Sequence, residues 1–315
     1  MIIGIDLGGM SAKGALLVGD QLKGKSRVET SASDTAEQTA LAIASLVLQT
    51  AEKANKQLDD IQAIGIGAPG VVDSEHGIIV SWTNFGWKNV RLAALVEKFT
   101  GKKTFLLNDA NAAALGEAEY GAGKRFSDSV LLTLGTGIGS GIILGGKLFE
   151  GFRSAGAEIG HVVIHRDGEL CSCGRKGCFE RYASASALIR FTRESMRDEP
   201  NSALWKYAPT VERVDGRTVF LALKEGDPVA QRVLDRYVAE LGEGIVNVAN
   251  ALRPQAVILG GGISAEGDTL LLPLRNYVYP RLYVSTEYAP FEICCAALGN
   301  DAGLYGAAAY AFSAL

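Results

Sequence analysis

Short apolar runs separated by glycine clusters set the pattern of this chain. Residues 2–7 (IIGIDL) and 14–22 read as two β-strands around a glycine turn at Gly8 and Gly9. Residues 129–134 and 141–149 repeat that arrangement around Gly135, Thr136, Gly137 and Gly139. Laid over GIDLGGMSAKGALLVGDQ, the stretch LLTLGTGIGSGIILGGKL follows it almost turn for turn, an internal repeat of a strand–glycine loop–strand unit. The repeat implies two similarly built domains facing each other. Thr35–Lys56 has the alanine and leucine content of a helix, which Asp34 can cap. Ala63–Ala68 is a short apolar strand ended by the turn signal Pro69-Gly70. Helices are predicted over Leu92–Phe99, Asp109–Tyr120, Ala185–Arg197, Val229–Leu252 and Ala302–Ala314, and strands over Thr104–Leu107 and Ala256–Leu259. Strands and helices alternate, so the class is α/β. Only Glu199–Arg217 has loop-like composition, an insert between helices.

Length and composition narrow the reading. A chain of 315 residues predicts two domains, each with a core of its own. It is 48% hydrophobic and 21% charged, ordinary for a globular protein. The net charge of −4, with no basic block, gives no electrostatic basis for nucleic-acid backbone binding. The start MIIGIDLGG has no secretory pattern and no apolar run is long enough for a membrane span, so a cytoplasmic enzyme is expected. The 38 glycines are clustered, which points to backbone–ligand contacts.

The segment HVVIHRDGELCSCGRKGCFE carries the densest chemistry. It holds His161, Cys171, Cys173 and Cys178, one imidazole and three thiols that can close a tetrahedron around zinc. Gly174 and Gly177 let the loop turn back so that the sulfurs converge. A disulfide or a buried thiol cluster is the alternative, although Cys-x-Cys is a poor disulfide spacing. His165 has only its nearness to His161 to recommend it as a ligand, and His76 has no motif around it. Cys294 and Cys295, in FEICCAAL, read as core thiols of an apolar strand.

Three glycine loops can each approach a ligand. DLGGMSAK offers backbone N–H groups at Gly8, Gly9 and Met10, the side chains of Ser11 and Lys13, and Asp6 at the end of its strand. LGTGIGSG offers Thr136 and Gly137; a strand follows it, so it is not a dinucleotide fingerprint. VILGGGIS, with Gly261 and Gly262, permits close approach of a flat group such as adenine or ribose. Each loop alone also reads as a tight turn. Asn108 and Asp109 follow a strand and open a helix, where a carboxylate is either a cap or an anionic acceptor favoured by the helix dipole.

In this order the motifs DLGGMSAK, LNDANAAALGE, AEIGHVVIHRDGELCSCGRKGCFE, VILGGGIS and LGNDAGLYGAA resemble those of the ROK family (repressors, open reading frames, kinases), from Ile3 to Ala309. The cysteine-bearing motif is the specific one. The resemblance implies a two-domain actin-like α/β fold with an interdomain cleft. Residues 1–119, joined by the helix 302–315, would form the N-terminal domain, and 120–301 the larger C-terminal domain with its zinc segment 158–180. It implies ATP-dependent phosphorylation of a hexose 6-hydroxyl, most simply that of glucose, with Asp109 as catalytic base and cleft closure excluding water. Asn84, Asn108, Glu158, His161 and Glu180 would contact the sugar, His161 serving zinc and sugar at once. For Glu180 a solvated charge at a helix start is the bland alternative. The implied cofactors are ATP, Mg²⁺ held by Asp6, and structural Zn²⁺. A homodimer or homotetramer is expected.

N-acetylmannosamine, N-acetylglucosamine, fructose, allose and β-glucosides are the other substrates the family implies, and polyphosphate is a possible donor. Sugar-responsive repressors of the family carry a helix-turn-helix before the first phosphate loop; here the first strand begins at Ile2, which favours the kinase branch. Two features depart from the family pattern: Met10 stands where threonine is usual, leaving Ser11 or the backbone to donate that hydrogen bond, and the Asn84–Trp87 spacing is variable.

Overall fold

The computed structural model describes residues 1–315. The chain divides into two compact units, one of Met1–Leu131, Gly141–Ala157 and Ala297–Leu315, the other of Leu132–Ser140 and Glu158–Ala296. In chain order the first elements are β1 (Ile2–Leu7), β2 (Ser11–Val18), β3 (Gln21–Glu29), α1 (Ala36–Lys53), β4 (Ala63–Ala68), β5 (Val71–Asp73), β6 (Ile78–Trp82), β7 (Trp87–Val90), α2 (Leu92–Thr100), β8 (Lys103–Asn108) and α3 (Asp109–Tyr120). Then come β9 (Ser129–Leu134), β10 (Ile138–Leu144), β11 (Lys147–Phe149), α4 (Glu180–Ala183), α5 (Ala185–Asp198), α6 (Leu204–Tyr207), α7 (Thr218–Leu223) and α8 (Pro228–Leu252). The chain ends with β12 (Ala256–Gly260), α9 (Asp268–Val278), β13 (Glu292–Cys295) and α10 (Ala302–Ser313).

The internal repeat is visible in the sheets. One has the order β3-β2-β1-β4-β8 and another β11-β10-β9-β12-β13, in each case three consecutive strands in reverse order followed by two later ones. In the first sheet, β1 pairs antiparallel with β2 and parallel with β4, and β4 pairs parallel with β8. β12 pairs parallel with β13 in the other. A small sheet, β5-β6-β7, carries the loop with Asn84.

Helices cover both faces of the first sheet. A Cβ on Gly14 would meet Thr50 and Leu46 of α1, whereas one on Gly4 would strike the Leu304 carbonyl of α10. Gly4 pairs with Ala15, the neighbour of Gly14, and adjacent strand residues face opposite ways, so α1 and α10 lie on opposite sides. Glycine is also required where α10 meets α3: a Cβ on Gly306 would overlap the Ala112 carbonyl, and one on Gly116 that of Ala302. This close approach seats the start of α3, and with it Asp109, over β4, where Gly67 lies under Asp109 Cα at 3.7 Å from an added Cβ.

In the second unit α8 is the central helix, capped by Asp227, whose carboxylate accepts from the Val229 and Ala230 amides, with Pro228 at its first position. Its buried stripe includes Val233, Leu234, Tyr237, Leu241 and Ile245, and the Tyr237 hydroxyl donates to the Ala183 carbonyl at 2.8 Å.

Several local readings are corrected. The strand expected over 14–22 breaks at Gly19, whose φ is +58°, and the chain turns back as β3. The strand expected over 141–149 likewise folds at Gly145 and Gly146, both at positive φ, into β10 and β11. Thr35, not Asp34, caps α1: Gln38 donates its amide to Thr35 Oγ1 at 3.2 Å and accepts from the Thr35 amide at 2.8 Å, a reciprocal box. Asp34 instead accepts from the Ser31 amide. The insert Glu199–Arg217 carries α6 and a further short turn. Cys294 and Cys295 are half-buried rather than in the core, and the Cys295 thiol donates to the Ser264 carbonyl.

Candidate active site

The first unit gathers one set of candidate residues. The first glycine loop is a closed turn: the Gly8 amide donates to the Ser11 carbonyl at 2.9 Å, and Thr30 of the β3 end ties down the Gly8 and Met10 carbonyls. Met10 is 82% exposed and offers only its backbone. Asp6 sits under this loop, its carboxylate 3.7 Å from Lys13 Nζ and packed against Gly303 of α10. Burial pushes the Asp6 carboxyl up, against the opposing pull of Lys13. A half-buried carboxylate of this kind gains from a second cation beside it.

Asn84 is exposed on a short turn held by stacked aromatics. Trp82 and Phe85 stack at 3.8 Å, and Trp87 meets both rings edge-on. Trp87 therefore packs, and Phe85 lies beside Gly9, which brings the Asn84 turn next to the first glycine loop. Asn108 caps α3 by accepting from the Ala110 and Asn111 amides, and its amide nitrogen donates to the Gly70 carbonyl. One N–H of Asn108 is left for a ligand. Asp109 opens the helix, with Oδ1 accepting from the Ala110 amide at 2.8 Å. Asp109 thus stands at the positive end of the α3 dipole.

The second unit gathers the others. Ligand atoms of His161, Cys171, Cys173 and Cys178 all lie within 4.8 Å of one another. Cys173 Sγ and Cys178 Sγ are 3.6 Å apart, as are Cys171 Sγ and His161 Nδ1. A tetrahedral ion with metal–sulfur bonds near 2.3 Å separates its sulfurs by about 3.8 Å, so this donor set fits such an ion. Burial pushes the Cys171 thiol up to about 12 and raises that of Cys178, while a backbone amide donor holds Cys173 down. The two buried thiols become thiolates readily only beside a cation. His165 is not in the cluster; its Nε2 pairs with Glu240 at 2.6 Å.

Glu180 links this cluster to the second glycine loop. Its Oε1 lies 3.1 Å from Cys171 Sγ and 3.9 Å from His161 Nδ1, and its Oε2 accepts from the Ile138 amide at 3.4 Å. It is a part-buried, partnered carboxylate, not a solvated helix-start charge. A Cβ on Gly137 would run into Glu180 Oε2, so glycine is the residue that admits this contact. The third loop joins in: Gly261, at φ +87°, packs on the Leu134 backbone, and Gly262 faces open space. Glu158, exposed, precedes the turn that carries His161, which β10 supports through the Ile159 amide bonded to Ser140 Oγ. Ser140 and Thr30 were missed as supporting residues. Ser140 lies in β10 and Thr30 just beyond β3, and neither carries a local signal of the loop it holds.

A glycine-looped α/β fold with repeated sheets, an acidic residue opening α3 and a His/Cys cluster defines an actin-like sugar-kinase architecture. The model of the ROK family matches residues 2–313, and the chain belongs to that family. A glucokinase of Thermotoga maritima is 39% identical over 313 residues, which is 98% of this chain and 96% of the relative. The crystal structure of a ROK glucokinase from Streptomyces griseus in complex with glucose and AMPPNP superposes with a TM-score of 0.84 at 35% identity, covering 99% of both chains. A xylose repressor of Caldicellulosiruptor bescii is 32% identical over 77% of this chain and 61% of its own length. No helix is long and apolar enough to cross a membrane.

Proposed function

We propose that the protein is an ATP-dependent kinase of the glucose 6-hydroxyl. The observation that carries this reading is the near end-to-end likeness to glucokinases, one of them bound to glucose and AMPPNP. The position of Asp109 at the first turn of α3 agrees with it. Asp109 accepts a hydrogen bond from the 6-hydroxyl and takes its proton as that oxygen attacks. In a loose phosphoryl-transfer transition state this orients the nucleophile more than it activates it. Asn84, Asn108, Glu158, His161 and Glu180 bind the remaining hydroxyls.

Zinc fits the His161, Cys171, Cys173 and Cys178 donor set and acts structurally. Nδ1 of His161 faces the thiols, which leaves Nε2 for the sugar and fixes the tautomer. The Gly8 amide closes the first loop onto Ser11, so the backbone amides of Gly9 and Met10, with Ser11 and Lys13, cradle the ATP phosphates from that loop, and Thr136 and Gly137 from another. Gly261 and Gly262 leave room for the adenosine. Asp6 is the carboxylate that would hold Mg²⁺, which would supply positive charge beside the ATP phosphates. A coupled assay across glucose, N-acetylmannosamine, N-acetylglucosamine, fructose and allose with ATP tests the reading. Glucose is expected to give the highest kcat/KM; a higher value for another sugar moves the substrate assignment, and no turnover with any hexose overturns the kinase.

A further inference from the structure

The loop from Glu150 to Ala157, between β11 and Glu158, concentrates left-handed backbone. Arg153, Ser154 and Ala157 sit at φ of +54°, +55° and +63°, a region that residues with a Cβ enter only at a cost in free energy. The loop closes on itself: the Gly156 amide donates to the Glu150 carbonyl at 2.8 Å, and an added Cβ on Gly151 would come 2.8 Å from Gly156 Cα. Core packing does not account for this conformation, since Phe152 is 86% exposed and Arg153 is exposed beside it. Polar contacts hold it instead. Glu150, its first residue, accepts from Ser74 Oγ at 2.5 Å through one carboxylate oxygen and from the Tyr310 hydroxyl at 3.4 Å through the other. Ser74, buried in the turn after β5, also donates its amide to Ser154 Oγ at 3.3 Å. Burial and the neighbouring Glu150 push the Tyr310 hydroxyl up to about 12, so it remains a donor.

We propose that Glu150 is a positioning residue for the sugar. It pins the loop at its first residue, and the loop ends at Ala157, whose φ sets the direction in which the chain delivers Glu158. Strained backbone persists only where its surroundings over-determine it, and such residues gather at functional sites. Freed from Ser74 and Tyr310, the three left-handed residues relax toward ordinary φ, and the peptide before Glu158 turns with them. Glu150 touches no ligand in this role; it acts through Glu158. The inference rests on the reading of Glu158 as a contact to the sugar hydroxyls.

The test is steady-state kinetics of Glu150→Ala, Glu150→Gln, Glu158→Gln and the Glu150→Ala/Ala157→Gly double variant, with hexose and ATP varied in turn. Glu150→Ala should raise the KM for hexose by about tenfold or more, the effect of losing hydrogen bonds to a charged group. Its kcat should fall by less than about threefold and its KM for ATP should change by less than about twofold, because sugar binding and not the chemical step is weakened. Glu150→Gln keeps one acceptor oxygen and should stay closer to the wild type. Glycine takes a φ of +63° without a Cβ clash, so Ala157→Gly should lower the hexose KM of the Glu150→Ala variant by about threefold or more. An unchanged hexose KM in Glu150→Ala, or equal losses for hexose and ATP with no recovery by glycine, would overturn the positioning role. Glu158→Gln keeps the two readings apart. A raised hexose KM there, beside an unchanged one in Glu150→Ala, removes the positioning role alone. An unchanged KM in Glu158→Gln takes Glu158 out of the sugar site, and the positioning role with it.

Discussion

The Glu180 carboxylate fills the space that a side chain at residue 137 would need. One oxygen lies beside Gly137 and the Ile138 amide, and the other beside Cys171 and His161. Glu180 thus ties the second glycine loop to the thiol cluster, and a disturbance at either end reaches the other.

Gly137→Ala should therefore push the carboxylate off the Ile138 amide without touching the cysteines. A hydrogen bond to a charged group is worth about 1.5–3 kcal/mol. The variant is expected to lose about tenfold or more in kcat/KM for glucose while retaining its metal. Kinetics paired with metal analysis checks this; a variant within about threefold of the wild type would show the contact to be incidental.

Asp109→Asn keeps the size of the side chain at the start of α3 and removes its negative charge. Turnover should drop by about 10²–10⁴-fold, the usual contribution of a general base. Glucose affinity, followed by equilibrium titration, should change far less. Turnover close to that of the wild type would take Asp109 out of the mechanism.

Metal analysis of the purified protein should find one zinc per chain, and Cys173→Ser should lose it. The loss should lower both Tm and activity, because the ion orients His161 and the loop leading to Glu180. Acidification should do the same reversibly. The Cys171 and Cys178 thiols, raised by burial, hold protons that the metal must displace, so affinity falls as pH falls. A zinc affinity that does not change between about pH 8 and 6 would contradict thiolate ligation.

Glu117, fully buried in α3, accepts hydrogen bonds from the Ala122, Ala297 and Leu298 amides at 2.8, 3.0 and 2.8 Å. Glu117→Ala strands three buried donors. Urea unfolding should show a loss of about 2–5 kcal/mol. A loss below about 1 kcal/mol would mean that water or a rearranged loop satisfies those amides.

What the sequence by itself determined was local. The spacing of His161, Cys171, Cys173 and Cys178 announces a convergent set of potential metal ligands because the four donors lie within one short segment. The repeated strand–glycine–strand pattern recurs at the start of two sheets of matching strand arrangement, and the residues flanking α3 marked its start and end. Each of these signals acts within a few turns of chain, where backbone geometry and side-chain chemistry suffice.

Only the tertiary structure decided the relations between distant residues. Gly137 and Glu180 meet because β10 and the thiol segment pack together, and no local pattern at either residue encodes that contact. The turns at Gly19 and Gly145-Gly146 rest on glycine at positive φ, which the residue type permits and only the antiparallel pairing of the flanking strands requires. The charges show the difference most sharply. The sequence contains no basic block, yet strand register sets Lys13 opposite Arg27, and Asp301, just before α10, pairs with Lys25. Pairing, not proximity along the chain, makes that charge cluster.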